Sequence, residues 1–320
     1  MLKAWLELAR ISNLPTAWTN VLAGWLLAGG QLQDQRLLWL LLGGSLLYSG
    51  GMILNDAADA KWDREHRKER PIPRGSVTQR AAWIVGISGL LLGAAACIFG
   101  GGANAILTLL LLLAILAYDL YHKQWAGAVV VMGACRSLLY LVAASPVLTN
   151  MHLWLGTSTL TLLFHGSLLP SDVLWFDVSP LAMPSRCPLY AALALGCYIV
   201  GVTLIARWEG KGQATGARRL FAIAMLLSPA LLAGLAMFIN IDLFLIRYSV
   251  FLVIFVSMIM IAVRIMRQGG SAIGRAVGIL LAGIAVVDAI AVASVSFQLA
   301  CGFIALAPLL RLWQRKIAAT

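Results

Sequence analysis

Acidic residues are scarce in this chain: 13 aspartates and glutamates stand among 320 residues, and charged residues of both signs make up only 12%. Hydrophobic residues fill 61% of it, and mean hydropathy is +0.89. That shortage of charge excludes a water-soluble domain and leaves a polytopic helical membrane protein. Cysteine is sparse too. The five thiols (Cys97, Cys135, Cys187, Cys197, Cys301) lie mostly in apolar segments without metal-ligand spacing, which excludes a disulfide framework or a thiolate metal site. No small-residue cleavage site follows Lys3, Glu7 and Arg10 at the start, so the first apolar segment is expected to be retained as a span.

What the chain has instead is apolar runs of spanning length. They fall at about 13–30, 37–55, 81–100, 104–121, 126–146, 187–206, 219–239, 243–264 and 273–297. The expectation is an all-α bundle of about nine transmembrane helices forming a single domain over residues 1–320. A moderately apolar piece from Met151 to Leu169 is broken by His152, Thr157, Ser158, Thr159 and His165, and reads either as a loop helix or as a re-entrant segment. The tail from Gly302 to Leu310 is apolar as well and stands as a possible short tenth element, outside the count of nine. Most lysines and arginines fall in alternate loops, with only Arg36, Arg186 and Arg247 on the other side until the tail. The basic side is therefore expected to be cytoplasmic. That puts the N-terminus there, in what is expected to be a bacterial inner membrane. No nucleic acid is expected as a partner.

The few acids cluster at the cytoplasmic end of the second run, in Asn55-Asp56-Ala-Ala-Asp59-Ala-Lys-Trp-Asp63-Arg64. Carboxylates at a membrane boundary are costly. Asn55, Asp59 and Asp63 are four residues apart, so on a helix they share an arc of about 80°. Three hard oxygen donors on one face suit Mg²⁺ bridging a diphosphate. The same spacing also fits a solvated helix end whose acids pair with neighbouring bases. After the cluster, Pro71, Pro73 and Gly75 build a tight loop that returns Arg67, Lys68, Arg70 and Arg74 toward the acids. Those cations read either as partners for phosphate oxygens or as plain topology signals.

These residues carry a resemblance. Asn55-Asp-x-x-Asp59-x-x-x-Asp63-Arg64, followed by Arg70-Pro-Ile-Pro-x-Gly75-x-Val-Thr78, resembles the first aspartate motif and loop of the UbiA superfamily of intramembrane prenyltransferases. Arg10-Ile-Ser-Asn13-Leu-Pro15-Thr16, Tyr118-Asp119-Leu-Tyr-His122-Lys123 and Gly133-Ala-Cys-Arg136-Ser-Leu-Leu-Tyr140 are similar to further family patterns over roughly residues 1–146. Within the superfamily the chain looks like a divergent, EboC-type member. The resemblance implies a nine-helix fold around a central cavity open to lipid. It also implies Mg²⁺-dependent transfer of an isoprenyl group from a prenyl diphosphate to an aromatic or small lipophilic acceptor. Carried over, Asn55, Asp59 and Asp63 would be the metal and diphosphate ligands, with Asp56 beside them. Asp59, Asp63 and Lys123 would carry catalysis, and Arg67, Arg70, Arg136, Glu209 and Arg218 would bind diphosphate. For Arg136, an isolated cation in a span, a structural pair with a buried acid fits equally well.

One departure stands out. The family's second aspartate motif belongs in the loop after the sixth span, yet Arg207–Arg219 holds a single carboxylate, Glu209, among Lys211, Arg218 and Arg219. Asp172 and Asp177 lie nearby in sequence but are five apart and on the opposite side, so they read as loop residues. Fixed cations can replace metal charge there. The alternative is a non-catalytic binder or carrier of a prenylated or diphosphate-bearing precursor. Asp288, an acid inside the last long span, either pairs with Arg136 or lines the acceptor end of the cavity. His66 and His122 read as rim histidines, open to base chemistry or simply surface. A CDP-alcohol phosphotransferase would need Asp-Gly-x-x-Ala-Arg, which the cluster lacks.

Overall fold

The computed structural model describes residues 1–123, 125–148, 188–207, 216–239, 248–270 and 272–316. Among these residues every regular element is helical. A short helix α1 (Leu2–Leu8) and a 3-10 turn (Ile11–Asn13) lead into α2 (Leu14–Leu27), α3 (Gln35–His66), α4 (Gln79–Ala95), α5 (Ala105–Tyr121) and α6 (Ala128–Ala144). The second half holds α7 (Pro188–Ala206), α8 (Gly216–Leu226), α9 (Ser228–Ile239), α10 (Ser249–Met266), α11 (Ala272–Ala282), α12 (Ile284–Val292) and α13 (Phe297–Lys316). Five of the described stretches are long and apolar enough to cross a membrane: α3, Gln79–Gly100, α7, α10 and Ala272–Val292. The chain is an integral membrane protein by this measure. The tail left outside the nine-span reading is helical, and longer than the stretch that suggested it.

Local chemistry explains the helix starts. Asp34 accepts the Arg36 backbone N–H, Thr78 accepts from Ala81 N, and Asn104 accepts from both Ile106 and Leu107 N. Each side chain satisfies backbone donors that a helix N-terminus leaves free. Two expected spans are each divided. The run 219–239 breaks between α8 and α9, where Ser228-Pro229 interrupts it, and 273–297 breaks at Gly283 between α11 and α12. A Cβ at Gly283 would meet the Met258 side chain and come within 2.8 Å of Tyr198 Oη, so the break sits where three helices crowd.

Two apolar cores hold the bundle. Trp25, Leu47, Leu111 and Val142 form one, where α2, α3, α5 and α6 meet. Tyr198, Phe251, Phe255 and Val292 belong to the other, among α7, α10 and α12. Leu38, Leu91, Phe99, Leu110, Val253 and Met260 stay exposed, as a lipid-facing surface requires.

Helix α3 positions the site. Its 32 residues extend about 48 Å at 1.5 Å per residue, more than the roughly 30 Å of hydrocarbon in a bilayer. Its last turns therefore project beyond the apolar slab, and these carry Asn55 to Asp63. The following loop is folded down onto them. Ile72 and Val77 pack with Leu8, Ile53, Ala57 and Ala60, Gly75 supplies a φ of 79° for the turn, and Arg74 donates to Glu7 of α1 at 3.0 Å.

Candidate active site at the membrane rim

The one-face spacing of Asn55, Asp59 and Asp63 holds in three dimensions. All three line a single open cavity of about 780 Å³, together with Arg10, Trp62, Arg67, Arg70, Tyr118, His122, Lys123 and Arg207. Asn55 and Asp63 are buried at 8% and 1% exposure, so their polar atoms are not simply solvated. Packing of the loop and α5 over α3 buries them.

Every acid in the cluster meets a cation. Arg70 Nη1 donates to Asp63 Oδ2 at 2.9 Å and to Asp56 Oδ1 at 3.2 Å, and Arg10 reaches the same Asp56 oxygen at 3.4 Å. Lys123 Nζ lies 2.7 Å from Asp59 Oδ1, and His122 Nε2 lies 3.4 Å from Oδ2. Trp62 frames this group: Lys123 sits over its ring at 4.3 Å and Arg67 at 5.7 Å, while His66 stacks on it. Arg207 ties α7 to the same corner by donating to the carbonyls of Ala126 and His122 at 3.0 and 3.1 Å. The arrangement neutralises three carboxylates with arginine, lysine and histidine side chains. An incoming polyanion can take over those bases and leave the carboxylates to a cation.

The donor set fits magnesium. Asn55, Asp59 and Asp63 offer hard oxygens, and Asp63 Oδ1 is buried with no hydrogen-bond partner. No group of three or more acid, histidine or cysteine side chains is pre-assembled for a metal among the described residues. Mg²⁺ characteristically binds through one or two carboxylates plus substrate phosphates rather than an all-protein cage, so an open half-site is what a bridging ion needs.

The remaining expected site residues separate. Arg136 does not line the rim cavity. It lines a smaller chamber of about 160 Å³ with Tyr48, Met52, Met132, Cys135, Leu139 and Leu281. Arg10 and Tyr118 line both spaces. Arg218 is exposed in the first turn of α8 and is not part of the rim lining. Glu209, Lys211, Asp172, Asp177 and the Met151–Leu169 piece lie outside the described residues. Asp288 neither touches Arg136 directly nor lines the chamber: Asn20 stands between them, donating to Asp288 Oδ2 at 2.8 Å and accepting from Arg136 Nη1 at 2.8 Å.

Two contributors escaped the sequence reading as site residues. Asp119, on α5, is buried at 5% exposure and accepts a hydrogen bond from Asn55 Nδ2 at 3.3 Å, with Oδ2 unpartnered. Its signal was available: an acid in the last turn of an apolar helix, four residues before Lys123. Arg10 is the other. It is the one non-glycine residue with positive φ among those described (45°), and that left-handed turn between α1 and the 3-10 segment precedes the guanidinium contact to Asp56. Its place at the head of the Arg10–Thr16 pattern was the signal available.

Comparison with known proteins gives the family. The model of the UbiA prenyltransferase family matches residues 16–272. The chain belongs to the UbiA prenyltransferase family. Among similar proteins is a digeranylgeranylglyceryl phosphate synthase of Methanoculleus marisnigri, 36% identical over 112 residues, covering 35% of this chain and 37% of that one. The synthase of Korarchaeum cryptofilum is 30% identical over 152 residues, 47% of this chain and 54% of that one. A 4-hydroxybenzoate octaprenyltransferase of Methylibium petroleiphilum is 39% identical over 71 residues, covering 22% and 23%. The chain thus spans from about a quarter to about half the length of these relatives. A solved structure of a digeranylgeranylglyceryl phosphate synthase superposes with a TM-score of 0.56 at 16% identity, over 92% of this chain and 98% of that one. This likeness shows a shared UbiA-type fold.

Proposed function

We propose that this chain is a membrane prenyltransferase that moves an isoprenyl group from a prenyl diphosphate to a small acceptor, with Mg²⁺ at the α3 half-site. Two observations outside the site support the activity: membership of the family, and relatives named as prenyl-transferring synthases. The observation that carries the reading is the shared rim cavity, where Asn55, Asp59 and Asp63 on one helix face stand among Arg67, Arg70 and Lys123. The site is read as cytoplasmic because the loops on this side hold most of the basic residues.

Bound magnesium would supply Lewis-acid stabilisation of the leaving diphosphate. Asn55, Asp59 and Asp63 would hold that ion, while Lys123 and Arg70 would turn from the carboxylates to phosphate oxygens and Arg67 would reach them from its place over the Trp62 ring. In the reaction the allylic C–O bond breaks, pyrophosphate leaves, and the acceptor forms a bond to the freed carbon and releases a proton. Fixed cations at the leaving group act where charge develops. The apolar chamber beneath, reached past Arg10 and Tyr118, keeps water from the allylic cation.

A second reading, a non-catalytic carrier of a prenylated or diphosphate-bearing precursor, draws on one fact: residues 207–219 contain a single carboxylate. Turnover separates the two. Purified protein with radiolabelled prenyl diphosphates of several lengths and a cell extract should yield a labelled lipid product and pyrophosphate. Retained binding without product at every chain length favours the carrier.

A further inference from the structure

Helices α3 and α5 meet at the rim in two rungs. On the outer one Asp59 of α3 meets Lys123, just past the end of α5, at 2.7 Å. On the inner one, four residues back on each side, Asn55 Nδ2 donates to Asp119 Oδ1 at 3.3 Å. Both pairs are 64 residues apart in the chain, so one register of α5 against α3 makes both. The outer rung joins an acid to a base. The inner rung joins an acid to an amide.

An amide has one end that can ligate a hard cation and one that cannot. Magnesium takes oxygen. An ionised carboxylate accepts and does not donate, so Asp119 takes the nitrogen end of Asn55 and turns the oxygen end away from itself. Asn55 lines the rim cavity and Asp119 does not, so the oxygen is the end left for the cavity. Both residues are buried, at 8% and 5% exposure, which keeps water from competing for the pair. The contact also explains the residue type at 55. A carboxylate there would face the carboxylate of Asp119 in a buried place, a like-charge contact that disfavours the charged forms.

Charge points the same way. Asp56, Asp59 and Asp63 each meet a cation. Asp119 has no such contact among the described residues: its partner is the neutral amide, and Oδ2 is buried with no hydrogen-bond partner. A buried carboxylate without a counter-charge is costly. A divalent ion on the Asn55 oxygen supplies that counter-charge one side chain away.

We propose that Asp119 is a positioning residue for the divalent ion of the rim: it fixes the Asn55 amide with its oxygen toward the cavity and balances the charge of the ion from behind. This rests on the reading of the rim as a Mg²⁺–diphosphate site.

The test is a Mg²⁺ titration of prenyl thiodiphosphate binding to the full-length chain in detergent, read as the Mg²⁺ concentration at half-maximal binding. Loss of a partner that orients a metal ligand typically weakens metal binding about 10- to 100-fold. Asp119→Asn, whose amide can meet Asn55 with either end, and Asp119→Ala, which offers no acceptor, should each raise the half-saturating Mg²⁺ by about tenfold or more. At saturating Mg²⁺ the thiodiphosphate affinity should return to near that of wild type, which a misfolded rim would not allow. Two removals of different size, each checked by its melting temperature, keep the result independent of the folding of either one. The exchange Asn55→Asp/Asp119→Asn keeps the net charge and reverses the hydrogen bond: the new amide donates to the new carboxylate, whose second oxygen serves the ion. It should recover most of the loss. A wild-type Mg²⁺ requirement in both single variants, or an exchange no better than Asp119→Asn, would overturn the proposal. Wild-type binding that needs no Mg²⁺ would sink the reading of the rim itself, whereas a Mg²⁺ requirement left unchanged by the variants sinks the role of Asp119 alone.

Discussion

Asp59 and Asp63 lie one helical turn apart on the same face, yet replacing each with asparagine should cost very different amounts of stability. Asp63 is 1% exposed; its Oδ2 receives Arg70 at 2.9 Å, while Oδ1 is buried without a partner. In Asp63→Asn the ion pair becomes a hydrogen bond from a charged donor to a neutral acceptor, a loss of about 1 kcal/mol. The new NH₂ also occupies a buried position without an acceptor, a further 1–3 kcal/mol or so. Arg70 keeps Asp56 at 3.2 Å, so the full penalty of an orphaned buried charge does not apply. The sum is about 2–4 kcal/mol, roughly a 30- to 1000-fold shift in the unfolding equilibrium. Asp59 instead pairs with Lys123, whose side chain is 36% exposed, so Asp59→Asn should cost about 1 kcal/mol or less. Thermal unfolding in detergent, read by tryptophan fluorescence, measures the difference. Both variants should lose Mg²⁺-dependent diphosphate binding. Equal destabilisation, or a larger loss in Asp59→Asn, would refute the view that Asp63 is the buried anchor of the loop and Asp59 the open ligand.

Lys123→Met should lower kcat by about 10²-fold or more while moving KM less, because the ammonium acts on charge that develops on the leaving diphosphate; steady-state kinetics on the purified chain reads the split. Chelation of divalent ions should abolish turnover, and added Mg²⁺ should restore it. Gly50→Ala should destabilise by about 1–3 kcal/mol through overpacking, since its Cβ would sit 2.9 Å from Gly86 O and 3.0 Å from Leu90 N across the α3–α4 contact. Gly302→Ala, with nothing within 4 Å of the added carbon, should be neutral or slightly stabilising in the same melt.

The acidic face was legible because four-residue spacing is a local property, and α3 preserves it as written. The loop was legible for the same reason: Pro71, Pro73 and Gly75 are turn residues, and the turn brings Arg70 back onto Asp63. Arg136 illustrates what was not. Its chemistry demanded a partner, but whether that partner was phosphate or acid depended on helices α2 and α12, separated from it by more than a hundred residues. The answer is a third arrangement, with Asn20 interposed. Asp119 is a lone acid in an apolar helix, and only the packing of α5 on α3 brings it to Asn55, 64 residues away. Helix division at Ser228-Pro229 and Gly283 is hidden from hydropathy averaged over a span-length window, which stays apolar across both breaks.

The central claim is a metal-dependent diphosphate site on α3, and equilibrium binding of a non-reactive prenyl thiodiphosphate tests it most directly. Binding to the wild-type chain should require Mg²⁺, and Asp59→Asn should abolish that requirement together with the affinity. Identical affinity with and without Mg²⁺, or unchanged Mg²⁺-dependent binding in Asp59→Asn, would contradict it.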